Sequence, residues 1–97
     1  MHRIGLAVLM LSVGYQAAAQ DAAQGKVPYE RACAECHGPR GEGGEGPPIV
    51  PLQHQPQGLI SITRSGKGEM APFGRSIITD QEILLVAAYL QMLGAAK

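Results

Sequence analysis

The chain has 97 residues, eight Lys and Arg against eight Asp and Glu, three Tyr, one Phe and no Trp. That length holds one small domain, and a balanced charge with no basic run argues against a nucleic-acid-binding surface. So few large apolar side chains leave a core short of volume, which small domains usually remedy with a disulfide framework or a cofactor.

Residues Met1–Ala19 read as a secretory leader. Arg3 gives the positive start, Ile4–Val13 a short apolar run, and Ala17-Ala18-Ala19 the small residues of a cleavage site, placed between Ala19 and Gln20. An apolar run of about ten residues falls short of the ~20 that cross a bilayer, so a leader is favoured over an anchor, and no other stretch is apolar enough to span. The expected mature domain is residues 20–97, exported to the bacterial periplasm.

Three helices are expected. The first runs from about Gln24 to Cys36, where Val27, Arg31 and Ala34 alternate with Tyr29, Ala32 and Cys33 at helical spacing and no Gly follows until Gly38. Pro28 is tolerated only in a first turn, where its missing N–H has no partner to lose, so regular helix should begin near Gln24–Val27. Residues 38–57 carry too many Gly and Pro for any regular element. A short helix fits Gln57–Ser65, stopped by Gly66. Residues 67–78 are expected to be irregular. Thr79-Asp80-Gln81-Glu82 spells a capping box, and Ile83, Val86, Ala87, Leu90 and Leu93 form the apolar stripe of a last helix that Gly94 should end. The fold class is all-α.

Cys33-Ala34-Glu35-Cys36-His37 carries the chemistry. C-x-x-C-H is the attachment signature of a c-type haem: two thiols one helical turn apart reach the two vinyl groups, and the adjoining imidazole lies beneath the iron. A redox disulfide would want a βαβ setting, and a zinc site would want four ligands. Cys33 and Cys36 are the only two cysteines, and beyond the leader only His37 and His54 remain as histidines. For the sixth iron position the candidates are Met70, Met92, His54 or none. Met92 falls on the last helix, where packing explains it. His54 lies in a polar, Pro-flanked loop and reads as a solvated side chain, with ligation or a pH-sensitive role near the haem as the alternative. Met70 lies in Gly66-Lys67-Gly68-Glu69-Met70-Ala71-Pro72-Phe73-Gly74, a loop whose backbone can approach a flat ring. A thioether there favours reduced iron and raises the potential.

Together these residues resemble the class I c-type cytochromes almost end to end beyond the leader. Gly25, Tyr29 and Cys33–Gly38 are similar to that family's first helix and haem motif, Gly46-Pro47 to its Gly-Pro segment, Ile62–Gly66 with Met70–Phe73 to its third helix and methionine loop, and Leu85–Leu93 with Tyr89 to its last helix. The resemblance implies a small cytochrome c fold of three to four short helices around one covalent haem c, the first and last helices crossing. It implies that the Pro47 carbonyl accepts from the ring of His37. Arg64, one turn before the methionine loop, is expected near the haem or capping its helix. The spacing from His37 to Met70 is short for the family, which predicts trimmed loops and an exposed haem edge.

The function expected is one-electron transfer with His37 and Met70 as axial ligands, and no enzymatic activity of its own. The redox partners would be proteins such as a periplasmic dehydrogenase and a terminal oxidase or another cytochrome. The alternatives are a tightly bound electron-accepting subunit of a dehydrogenase and, should Met70 not ligate iron, a haem-based gas sensor or peroxidase.

Overall fold

The computed structural model describes residues 21–96. The expected leader, residues 1–19, lies outside the described residues. Helix α1 covers residues 21–32, α2 is Ala34–His37, α3 is Pro56–Ser65 and α4 is Asp80–Ala95. Among the described residues there is no strand, only one isolated bridge between Lys67 and Met70. No described helix is long and apolar enough to cross a membrane.

The first helix departs from its expected form in two ways. It is already helical at residue 21, so Pro28 lies well inside it, and it breaks at Cys33 before resuming as α2. Proline in a helix interior forfeits one ladder hydrogen bond and crowds the preceding turn. Tertiary packing overrides that cost: Pro28 is buried, and its neighbour Tyr29 is fully enclosed. The break is shallow, because the Cys33 N–H still donates to the Tyr29 carbonyl (2.8 Å) and the His37 N–H to the Cys33 carbonyl (3.0 Å).

The terminal helices meet where Gly25 faces α4. A Cβ at position 25 would overlap the Leu85 carbonyl and crowd the Tyr89 side chain, so only glycine lets the two backbones approach this closely. One turn along, the rings of Tyr29 and Tyr89 pack at 5.5 Å between centroids, tilted by 50°. The core continues through Val50, Ile78, Ile83, Val86, Leu90 and Leu93, so every residue of the anticipated α4 stripe is buried. Each large apolar side chain enclosed here contributes about 1.5–3 kcal/mol relative to exposure.

The ends of the helices differ in how well they were anticipated. Gly66 stops α3 at φ +75°, with its N–H on the Ile62 carbonyl at 2.7 Å. Gly94 does not stop α4, which continues to Ala95. Its small size serves packing instead: a Cβ there would lie 3.3 Å from Pro51. At the other end of α4 both halves of the capping box form, the Glu82 N–H donating to Thr79 Oγ1 and the Thr79 N–H to Glu82 Oε1, each at 3.0 Å.

Two carboxylates at this helix start are held below their ordinary range. Asp80 accepts from the Arg64 guanidinium, the main cause, with Arg75 adding to it. Glu82 accepts the Thr79 backbone N–H and then the Arg31 guanidinium. Their folded values are depressed, so their stabilisation is complete above the ordinary values of 3.8 and 4.5 and is lost as pH falls through the lowered ones. Glu82→Gln should therefore flatten the fall in melting temperature as pH drops below the ordinary value of 4.5. A titration curve parallel to wild type would remove Glu82 from the acid response.

Candidate functional site

The C-x-x-C-H residues sit where the first helical stretch ends. Cys33 is half-buried at the break, Cys36 is exposed on α2, and His37 closes α2. Both cysteines are free. Burial pushes the Cys33 thiol up to about 11, the opposite of the low value that a redox-active C-x-x-C needs. Among the described residues no three His, Cys, Asp or Glu side chains gather as a metal site.

The loop after His37 is fastened to the motif by its backbone. The Gly43 N–H donates to the His37 carbonyl and the Gly46 N–H to the Cys36 carbonyl, each at 2.7 Å. These bonds carry Pro47 to the imidazole: His37 Nδ1 lies 2.8 Å from the Pro47 carbonyl oxygen. A carbonyl can only accept, so Nδ1 bears the proton and Nε2 keeps its lone pair for a metal. A Cβ on Gly46 would stand 3.1 Å from the His37 ring, so glycine there lets the loop lie along the imidazole. From the other side, the buried Tyr29 hydroxyl donates to the Gly38 carbonyl at 2.6 Å. The family resemblance included Tyr29, but no sequence feature pointed to the Gly38 carbonyl as the partner of its hydroxyl.

Half-buried apolar side chains from four segments pack on the core yet stay partly open: Cys33 and Ala34, Ile49 and Leu52, Leu59 and Ile60, and Phe73. The residues of the motif fit a haem, with two thiols for attachment and an oriented imidazole beside them. Met70 is half-buried, its N–H on the Lys67 carbonyl (2.9 Å) and its carbonyl accepting from the Lys67 N–H (3.1 Å). Met92 is 44% exposed on α4, and His54 is exposed in its loop.

Of the two places expected for Arg64, the cap on α3 is not the one its hydrogen bonds take: the last turn is closed by the Gly66 N–H. Its guanidinium donates through Nη1 to the Phe73 carbonyl and through Nε to Asp80 Oδ1, both at 3.0 Å. No local pattern marks these acceptors, nine and sixteen residues away.

A small helical domain carrying a C-x-x-C pair and an adjoining imidazole oriented by a Gly-Pro segment has the features of the class I c-type cytochromes. Residues 20–90 match the family model described as "Cytochrome C oxidase, cbb3-type, subunit III", and the chain belongs to this family of cytochrome c domains. Membership brings covalently bound haem c with its iron, and with it haem-based electron transfer to and from redox partners. Searches of the curated proteins and of the solved structures found no match.

Proposed function

We propose that this cytochrome is a periplasmic one-electron carrier whose haem is bonded through Cys33 and Cys36 and held axially by His37 and Met70. The haem supplies the reversible ferric–ferrous couple. The chain supplies attachment, orientation and exclusion of other ligands. The observation that carries the reading is the His37 Nδ1 contact with Pro47 at 2.8 Å, which fixes the tautomer that leaves Nε2 available. Met70 is supported by its place in a short loop closed by reciprocal Lys67 hydrogen bonds. A thioether there leaves no open coordination position for substrate, which separates a carrier from a sensor or peroxidase.

Export follows from reading residues 1–19 as a leader, and covalent attachment suits a compartment where a dissociated haem would be lost. The donor is proposed to be a periplasmic dehydrogenase and the acceptor a terminal oxidase or another cytochrome. The family description, which names an oxidase subunit, supports the second of these. Redox partners of this kind meet over small, transient interfaces.

The test is the ferric spectrum of the holoprotein. A low-spin spectrum with the far-red methionine-to-iron band, and no carbon monoxide uptake on reduction, is the expected result. A high-spin ferric spectrum would replace the carrier with a ligand-binding haem protein.

A further inference from the structure

We propose that Arg64 is a positioning residue that clamps the Met70 loop shut, an inference that rests on reading Met70 as the sixth ligand. Apart from the Phe73 side chain, which packs on the core, the loop has little else to hold it. Lys67, Gly68, Glu69, Ala71, Pro72 and Gly74 are all exposed, while only Met70 and Phe73 are half-buried. The reciprocal Lys67–Met70 hydrogen bonds shape the loop but tie it to nothing outside itself.

The anchor is the peptide unit of Phe73, three residues beyond Met70. Its N–H donates to the Thr63 carbonyl at 2.8 Å, and its carbonyl accepts from Arg64 Nη1 at 3.0 Å. Two neighbouring residues at the end of α3 therefore grip both polar groups of one residue. The guanidinium is fixed in turn by Asp80, the first residue of α4, whose Oδ1 accepts from both Nε and Nη2. Arg64 is only 17% exposed, unlike Arg75, the second and looser partner of Asp80, at 72%. A planar guanidinium can reach a carbonyl and a carboxylate at once, whereas a lysine ammonium at the end of a flexible stem cannot reproduce that fork. Arg64 thus ties α3, α4 and the methionine loop together at one point.

The test uses ferric holoprotein and imidazole as the probe, since imidazole reaches the sixth position only when the loop opens. Arg64→Ala is expected to keep the far-red band without imidazole, to bind imidazole about tenfold faster or more, and to speed hydrogen exchange at the Phe73 amide. Arg64→Lys should fall between the two. Thr79→Ala, which breaks the capping box and weakens α4 without touching Phe73, should leave the imidazole rate near wild type. If Arg64→Ala yields no holoprotein, Asp80→Asn removes the guanidinium's anchor and should show the same increase in smaller measure. An imidazole rate unchanged in Arg64→Ala, or one raised equally by Thr79→Ala, overturns the clamp while leaving the methionine reading intact. A wild-type protein without the far-red band removes the methionine reading and the clamp with it.

Discussion

Replacing Cys33 and Cys36 together by alanine is expected to abolish covalent haem entirely. These are the only thiols in the chain, so no other side chain can take over either thioether. The measurement is acid–acetone extraction followed by a haem stain: wild type retains the colour and the double variant loses it. The loss should reach the fold as well. Leu52, Leu59, Ile60 and Phe73 pack on the core from its edge and stay part-open, and a chain without haem leaves that apolar surface to water. A domain with one Phe and no Trp has little volume in reserve, so the colourless variant should also melt earlier and less cooperatively. Haem that stays on the double variant through extraction would sink the attachment reading.

Replacing Met70 by alanine should leave the haem attached and open its sixth position. The far-red ferric band should disappear outright, and the reduced protein should gain carbon monoxide binding that wild type lacks. The potential should fall, because a thioether favours the reduced metal. Met92→Ala is the paired control. Met92 is 44% exposed on α4, so its removal should cost about 1 kcal/mol or less and leave the spectrum alone. A lost band in Met92→Ala, or an unchanged one in Met70→Ala, would mean that the other methionine faces the metal. His54 is exposed in its loop, and a Met70→Ala protein that is low-spin until His54 is replaced as well would show that His54 can substitute.

Much of this could be read from the residues alone, and the reasons differ by element. The start of α4 was legible because a capping box is local: Thr79 and Glu82 satisfy each other within four residues. The stripe from Ile83 to Leu93 was legible because period alone decides which face is buried. Pro28 misled, since its local penalty is outweighed by an interface that Gly25 and Tyr29 make with a helix some sixty residues later. Gly94 misled for a related reason, since a glycine near a helix end has two uses and only the position of Pro51 shows that packing is the one in force. Within the site, the cysteines and His37 announce themselves by spacing. Pro47 could be assigned a partner only through family resemblance, and the acceptors of Arg64 and Tyr29 belong to tertiary structure alone.

The Tyr29 hydroxyl on the Gly38 carbonyl has a consequence for how the two sides of the site come apart. That phenol is fully enclosed between the terminal helices, so freeing the Gly38 end of the histidine loop means separating α1 from α4, which is unfolding the protein. The methionine loop is mostly exposed and fastened at the Phe73 peptide, so it can lift without disturbing that interface. With His37 and Met70 as the proposed ligands, the two axial positions would belong to different cooperative units. The imidazole side shares the global stability of the domain, and the thioether side opens at a lower free energy of its own. Thermal or chemical stress should therefore pass this protein through a state that has lost Met70 and still holds His37, before any state that has lost both.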